Sequence, residues 1–226
     1  MSSLKTIKLY NHGGGPNPPK VAIILEELGI PYESTYPGPS AIKQEPYISL
    51  NPNGRLPAIE DPNTGLVLWE SGAIVQYLVE QYDKDAKLRY TTFAEKWQQE
   101  AWKIFQVSGQ GPYFGQLMWF KVFRSEKLPS AVDRYTNEAK RVLGVIDAHL
   151  KKTNKPYLVG DKVCFADLMF VTWDHVLPFA LGEDDMKDFE TNMPHAFAWW
   201  QKLEGRESVK KVYADVEKHK AAGAKH

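Results

Sequence analysis

The chain has 226 residues, which is more than one typical domain of about 100–150 residues and less than two. Apolar residues make up 43% and charged residues 25%, a globular composition that excludes a disordered chain. Lysine and arginine together number 28, as do aspartate and glutamate, so the basic excess typical of nucleic-acid binders is absent. The single cysteine, Cys164, excludes an internal disulfide, a CxxC redox pair and a cysteine-based zinc cluster.

No segment predicts secretion or a membrane anchor. Met1–Tyr10 lacks the basic and then apolar pattern of a signal peptide. The longest apolar stretch, Cys164–Leu181, carries Asp167, Asp174 and His175, which are costly inside a bilayer. We therefore expect a soluble, cytoplasmic protein that binds neither membranes nor nucleic acid.

The first part of the chain alternates β-rich runs with helical patterns. Strands are predicted at Ile7–Tyr10, Tyr32–Tyr36, Leu56–Glu60 and Val67–Trp69. Apolar residues at helical spacing predict helices over Pro18–Leu28 and Ser71–Tyr82, the second with Ser71 as its N-cap. The order is β-α-β followed by β-β-α, with the first two strands parallel and the last two antiparallel.

Beyond the polar stretch 83–90 only helical patterns occur. Helices are predicted over Phe93–Ser108, Tyr135–Leu150, Phe165–Leu177, Phe197–Leu203 and Val209–Val216, followed by a frayed tail at Lys218–His226. We therefore predict two domains, a small α/β domain over residues 1–83 and an all-helical domain over residues 91–226.

A glycine-rich loop, Asn11–Asn17, connects the first strand to the first helix. Such a turn cradles phosphate in some proteins, but this one lacks Gly-Lys-Ser/Thr and the dinucleotide-binding spacing. A flexible loop that shapes a cleft is the other interpretation, and the residues alone leave both open.

Two further motifs each allow a structural and a binding interpretation. Pro57 is either an ordinary edge-strand proline or a cis proline that leaves the backbone of Leu56 free to pair with an extended peptide. Glu70 and Ser71 either cap a helix, or bind the carboxylate and ammonium of an amino-acid head group at the positive end of that helix.

The remaining reactive residues give no metal or nucleophile pattern. The six histidines lack metal-ligand spacing, so no metal site is predicted. Cys164 lies in an apolar run and is interpreted as a buried, inert thiol. The aromatic segment Tyr113–Phe120 is a candidate lining for an apolar pocket.

Several motifs carry a family resemblance along almost the whole chain. In order they are Leu9–Tyr10, Pro16–Val21, Asn51–Ile59, Trp69–Ile74, Leu158–Lys162 and Ala166–Leu168. Together they resemble the cytosolic glutathione transferase family. The resemblance is closer still to the Asn-type fungal branch related to the yeast nitrogen-regulatory prion protein, through Phe105–Gly109, Gly115–Gln116 and Ser130–Thr136.

The resemblance implies a fold and a ligand. The fold is an N-terminal thioredoxin-like domain of order β-α-β-α-β-β-α, followed by a C-terminal helical bundle, in a chain that forms homodimers. The ligand is glutathione, used as co-substrate without a metal. By resemblance, the backbone of Leu56 before cis-Pro57 pairs with the cysteinyl part, Glu70 and Ser71 hold the γ-glutamyl head, and Arg55 lies near the peptide.

The group that faces the glutathione sulfur has two candidates. Asn17, placed like the asparagine of the fungal branch, is the first choice, because its amide donates a hydrogen bond to the thiolate. Tyr10 on the first strand is the second, and the backbone of Gly14 or Gly15 is a further donor. Relatives commonly carry a polar or basic residue around positions 41–43 for the glycyl carboxylate, where this chain has Ala41, Ile42 and Lys43. Either Lys43 serves after a small shift, or this contact is missing.

The function implied is a transferase that joins glutathione to a small hydrophobic electrophile, with Phe114, Met118 and Trp119 lining the electrophile pocket. Reduction of disulfides or peroxides with glutathione is a second expected activity, because both reactions start from the same thiolate. The alternative is a regulatory or protein-interaction module that keeps the fold with little or no turnover.

Overall fold

Two compact units make up the chain. The structure, a computed structural model, describes residues 4–223. The residues up to Lys87 group with those from Gly205 onward, and Leu88–Glu204 form the second unit. The segment from Gly205 onward therefore groups with the N-terminal residues, although the sequence places it at the end of the helical part.

A four-stranded sheet is the centre of the first unit. Its strands are β1 (Ile7–Tyr10), β2 (Tyr32–Thr35), β3 (Ala58–Asp61) and β4 (Leu66–Trp69), in the spatial order β2-β1-β3-β4. Strand β1 runs parallel to β2 and antiparallel to β3, and β3 is antiparallel to β4. The predicted strand directions are confirmed.

The helices of the N-terminal segment are α1 (Asn17–Leu28), α2 (Tyr47–Leu50) and α3 (Ser71–Tyr82). Prolines in the first turn of α1 and the left-handed Gly29 after its end set its limits. The helix begins at Asn17, one residue before the predicted start, and ends at Leu28 as predicted. Helices α1 and α3 pack against each other. With α2 included, the order is β-α-β-α-β-β-α, and the thioredoxin-like prediction is confirmed.

The second unit is all-helical over the residues described, as predicted. Its helices are α4 (Phe93–Phe105), α5 (Gly111–Met118), α6 (Pro129–Thr153), α7 (Phe165–Asp174), α8 (Leu177–Leu181), α9 (Glu183–Asn192) and α10 (Pro194–Glu204). Across residues 4–223, no helix is both long and apolar enough to cross a membrane.

The predicted limits of the first long helix are wrong. The helix does not end at Ser108, because the π-helical turn Gln106–Gln110 carries it directly into α5. The Gly111 N–H donates to the Gln106 carbonyl, a wider ring that passes the chain into Pro112 without a break. A second π turn, Trp119–Phe123, follows α5.

Helix α7 is buried, as predicted, and it ends at Asp174 rather than at Leu177. Cys164 precedes its first turn and is buried, and burial raises the pKa of its thiol well above the usual value. The carboxylate of Asp167 accepts hydrogen bonds from the backbone N–H groups of Cys164 and Leu158, each at 2.9 Å. An inert, structural cysteine is the consequence.

The last helix, α11 (Glu207–Gly223), packs against α1. At its start, Arg206 donates two hydrogen bonds to the carboxylate of Glu27, at 2.7 and 2.8 Å, and Ser208 donates a third. The helix continues to Gly223, so the prediction of a frayed segment from Lys218 is wrong as far as that residue. Residues 224–226 lie outside the described part of the chain.

Candidate functional site

One buried side chain links the first residues of α1 and α3. Asn17 begins α1 and Ser71 begins α3. Lys20, three residues into α1, places its Nζ 3.1 Å from Oδ1 of Asn17 and 3.2 Å from Oγ of Ser71. Only 2% of Lys20 is exposed. We call Asn17, Lys20 and Ser71 the helix-start cluster.

Lys20 lies in surroundings that disfavour its positive charge. Helix N-termini carry a partial positive charge, so an ammonium near the starts of α1 and α3 is disfavoured by both dipoles. Burial lowers the pKa of Lys20 to about 7, although the negative charge of Glu70 raises it. The amine therefore titrates near neutral pH, between the two residues that it holds.

Glu70 has a strained backbone at the start of α3. Its φ is +69°, a region that non-glycine residues rarely adopt, and such strain persists where the surrounding structure imposes it. Glu70 occupies the N-cap position, and Ser71 is the first helical residue. The predicted N-cap role of Ser71 is therefore wrong, because its hydroxyl oxygen accepts from Lys20 and not from its own helix.

The segment before β3 contains the predicted peptide-binding residues. The Leu56–Pro57 peptide bond is cis. Pro57 is buried, Leu56 is half-buried, and Arg55 is exposed. Strand β3 begins only after the proline, at Ala58, so the predicted start at Leu56 is two residues early.

Side chains behind this segment hold its backbone in place. The Arg55 carbonyl accepts from the Tyr47 hydroxyl at 2.6 Å and from Nδ2 of Asn51 at 2.7 Å. Nζ of Lys43 donates to the Gly54 carbonyl at 2.6 Å. Lys43 is thus bound to the same loop as Arg55, and its ammonium has three donors, so this bond does not exhaust it.

The Tyr10 hydroxyl has a partner within the sheet. It donates to Oε1 of Glu60 at 2.6 Å, and Glu60 also pairs with Lys8 at 3.2 Å. The Tyr10 ring packs edge-on against Tyr47, with the ring centres 5.2 Å apart. Burial and the neighbouring carboxylate raise the pKa of Tyr10, which makes the phenol a weaker acid. Of the two candidates for the sulfur donor, the geometry favours Asn17.

His12 organises the glycine-rich loop. Its ring nitrogen Nδ1 accepts from the backbone N–H of Gly14 at 3.1 Å and of Gly15 at 2.9 Å. An acceptor nitrogen carries no proton, and burial correspondingly lowers the pKa of His12. Both glycine amides point to the histidine, so the loop interpretation is favoured over a phosphate cradle, and neither amide is the best donor for a sulfur.

The predicted electrophile residues differ in accessibility. Phe114 is fully buried, Met118 is half-buried, and Trp119 is 50% exposed. Phe114 packs in the core of the helical unit, so its role in a pocket stays a prediction. Within residues 4–223, no group of three or more metal-binding side chains is placed to hold an ion.

Family comparisons match both halves of the chain. The Glutathione S-transferase N-terminal domain matches residues 5–80, and the Glutathione S-transferase C-terminal domain matches residues 113–215. The chain belongs to the glutathione S-transferase family. The family predicted from the sequence motifs is thereby confirmed.

Individual relatives place the chain near the fungal members of this family. The Glutathione S-transferase-like protein gedE of Aspergillus terreus is 49% identical, over 96% of this chain and 98% of its own. The glutathione transferase URE2P6 of Phanerochaete chrysosporium, solved with oxidized glutathione, is 44% identical, with a TM-score of 0.88 over 95% of this chain and 97% of its own. The Transcriptional regulator URE2 of Saccharomyces cerevisiae is 33% identical, over 92% of this chain and 68% of its own.

Sequence reasoning missed the residues whose hydrogen bonds hold the backbone and side chains of the site in place. Lys20 lies within the Pro16–Val21 motif, and its spacing of three from Asn17, which places both on one helix face, is the signal that could have shown its role. The metal-ligand spacing sought for the histidines does not show that His12 binds the loop backbone. Tyr47 and Asn51 hold the Arg55 carbonyl, a role that no residue pattern predicts because their partner is a backbone atom.

Proposed function

We propose that the protein is a glutathione transferase that joins the sulfur of glutathione to a small hydrophobic electrophile. The helix-start cluster carries this proposal. It brings an amide donor, Asn17, and a hydroxyl at a helix N-terminus, Ser71, to the same buried lysine. A peptide with a carboxylate at one end and a thiol further along is complementary to such a pair.

Binding of glutathione involves both the cluster and the loop before β3. The γ-glutamyl carboxylate accepts from Ser71 and the first N–H groups of α3, and the ammonium pairs with Glu70. The cysteinyl backbone pairs with Leu56 beside Pro57, as the family resemblance implies. Arg55 lies near the peptide.

The glycyl end of glutathione is assigned to Lys43. This ammonium is already positioned by the Gly54 carbonyl, two residues before Leu56. Its remaining donors are available for a carboxylate.

The chemistry begins with the thiolate of glutathione. A free thiol has a pKa of about 8.5, so a donor that faces the sulfur is needed to increase the thiolate fraction at neutral pH. Asn17 is assigned this role, and Tyr10 is second because its hydroxyl donates to Glu60. The thiolate forms a carbon–sulfur bond as the leaving group departs with its electron pair, and the thiol proton goes to solvent.

The same thiolate supports reduction of a mixed glutathione disulfide. It attacks the glutathione sulfur of the mixed disulfide, oxidised glutathione forms, and the other sulfur leaves as a thiolate that takes a proton from solvent. Electrophiles are assigned to the helical domain, residues 91–226, with Met118 and Trp119 as accessible candidates beside Phe114. Residues 1–83 form the proposed glutathione-binding domain, and the proposed location is the cytoplasm, where detoxification of electrophiles uses glutathione.

A homodimer is proposed as the assembly. Helix α4 exposes Phe93 (83%), Trp97 (57%) and Ile104 (56%), which lie along one stripe of the helix. Exposed aromatic residues in such a stripe are typical of an interface. Sedimentation should give about twice the 25.7 kDa of the chain, and a single chain at micromolar concentration would contradict the proposal.

A regulatory module without turnover is the second candidate. The similarity to a protein named a transcriptional regulator favours it. Both candidates bind glutathione, so only turnover distinguishes them.

One panel of assays tests the proposed function. Conjugation of glutathione to a chloro-nitrobenzene and reduction of a mixed glutathione disulfide are measured beside calorimetry with glutathione. We expect binding and turnover in at least the conjugation assay. Binding without either reaction would favour the regulatory module, and absence of binding would overturn the proposal.

A further inference from the structure

A lysine at position 20 is energetically unfavourable in its charged form. It is 2% exposed, near the N-terminal ends of two helices. Burial and both helix dipoles oppose its charge. A methionine would fill a similar space without a charge to bury. Residues that break local rules in this way are concentrated at functional sites.

The contacts of Lys20 determine how its two neighbours present their own donors. A protonated amine only donates, so the Asn17 amide must turn its oxygen to Nζ. The Asn17 NH₂ group then points away from Lys20. In the same way, Oγ of Ser71 accepts from Nζ, so its hydrogen is available in another direction.

We propose that Lys20 is a positioning residue that orients Asn17 and Ser71 as donors and so links carboxylate binding at the start of α3 to stabilisation of the thiolate. This inference rests on the proposed function. Lys20 itself touches neither the thiol nor the carboxylate. It acts through the residues at the first positions of the two helices.

The charge of Lys20 also couples carboxylate binding to the orientation of Asn17. Glu70 is the charged group whose field acts on Lys20 most directly, and it favours the ammonium. A ligand carboxylate at Ser71 adds a second negative charge nearby, which favours the ammonium further. Binding of the γ-glutamyl end therefore strengthens the hydrogen bond that orients Asn17.

Three variants test the proposal. Lys20→Met removes the donors, Lys20→Arg keeps charge and donors, and Lys211→Met removes a lysine from α11 that pairs with Glu26 outside the cluster. Each is compared by circular dichroism, by calorimetry with glutathione and with S-methylglutathione, and by titration of the bound thiolate absorbance. S-methylglutathione reports the carboxylate half alone.

We expect Lys20→Met to remain folded. Its affinity for both peptides should fall about tenfold, because the Ser71 hydroxyl is no longer oriented to donate its hydrogen bond to the peptide carboxylate. The pKa of the bound thiol should rise, Lys20→Arg should recover part of both effects, and Lys211→Met should match the wild type. If Lys20 had only a structural role, its replacement would leave the pKa of the bound thiol unchanged. Unchanged affinity and thiol pKa in Lys20→Met would overturn the inference.

A measurement on the unmodified protein keeps the test independent of folding. The ¹³Cε resonance of Lys20, assigned by its loss in Lys20→Arg, is followed against pH with and without S-methylglutathione. We expect its titration to move to higher pH with the peptide bound, and an unchanged titration would overturn the inference. If the wild type binds no glutathione, the proposed function fails, whereas binding with an unresponsive Lys20 removes only this inference.

Discussion

A charged side chain is buried near each end of α1, and the two side chains have different hydrogen-bond partners. Glu27, near the C-terminal end, is 8% exposed and accepts hydrogen bonds from Arg206 and Ser208. Lys20, near the N-terminal end, is 2% exposed and donates to Oδ1 of Asn17 and to Oγ of Ser71. Glu27 accepts two hydrogen bonds from a guanidinium, whereas Lys20 donates to an amide oxygen and a hydroxyl oxygen.

The direction of each pKa shift reflects this difference. Burial opposes the ionisation of Glu27, but the hydrogen bonds from Arg206 and Ser208 outweigh it, and the net pKa is lowered. For Lys20, burial dominates and lowers the pKa to about 7, so its charged form is disfavoured. Glu27 therefore stabilises the fold, whereas Lys20 costs stability and is explained by what it does to its neighbours.

The largest effect is expected at the C-terminal end of α1. Arg206→Ala leaves the carboxylate of Glu27 buried without its main partner, which typically costs about 3–5 kcal/mol of unfolding free energy. Urea denaturation measures the loss, with Lys210→Ala as the control, because Lys210 pairs with Glu207 at the surface. A loss below about 1 kcal/mol would show that Glu27 is not held as described.

At the N-terminal end, Asn17→Ala should affect catalysis rather than stability. Loss of one preorganised donor costs as much as ~3 kcal/mol in kcat/KM, about 10²-fold, together with a raised pKa of the bound thiol. Tyr10→Phe is the matched control and should leave the thiolate absorbance nearly unchanged, because its hydroxyl donates to Glu60. The opposite result would assign the sulfur to Tyr10.

A smaller effect is expected from the carboxylate half of the site. Ser71→Ala and Glu70→Ala should each weaken glutathione binding by about 1–3 kcal/mol in calorimetry, the usual cost of a lost hydrogen bond to a charged group. Ser49→Ala is the control, because the Ser49 hydroxyl donates to Glu45 outside the cluster. Unchanged affinity in both variants would remove Glu70 and Ser71 from the site.

The pH dependence of stability gives the smallest effect. The pKa of Lys20 is about 7 in the folded chain and about 10.5 when unfolded, so between these values the unfolded chain binds more protons. The unfolding free energy should therefore rise with pH above 7, by at most about 1.4 kcal/mol per pH unit. Below pH 7 the cost of the buried charge is fully present.

The difference between wild type and Lys20→Met isolates this contribution. Urea midpoints measured from pH 6 to roughly pH 9 should show a steeper rise for the wild type than for the variant. Glu27 does not interfere, because its stabilisation is complete above its unfolded pKa of 4.5 and is lost only at lower pH. Parallel profiles would mean that Lys20 is not a buried cation.

Sequence reasoning reached much of the fold because local patterns were strong. The bounds of β1 and α3 were predicted to the residue, from apolar spacing and the flanking residues. Helix α9 was not predicted, because it is mostly charged and buries only Phe189. The grouping of α11 with the first unit depends on Arg206 and Glu27, which are 179 residues apart, and no local pattern carries such a contact.

Residues of the candidate site were predictable where the residue type within a motif itself indicates the role. Asn17 and Ser71 were found in this way, and the structure brings them to a common partner. That partner, Lys20, was not predicted to have a role, because a lysine in a helix is normally assigned to solvent. The roles of His12, Tyr47 and Asn51 were not predictable, because their partners are backbone atoms and residue types do not report such contacts.

His12 makes the order of the glycine loop depend on the proton concentration. A single lone pair on Nδ1 holds both the Gly14 and the Gly15 amide, so it can do so only while the ring is neutral. Protonation of Nδ1 should therefore release both amides, because the protonated nitrogen no longer accepts a hydrogen bond. A Cβ at position 15 would lie 2.1 Å from Cε1 of His12, so a side chain there would require the ring to move. The conformation of the glycine-rich loop is therefore coupled to the protonation state of one side chain.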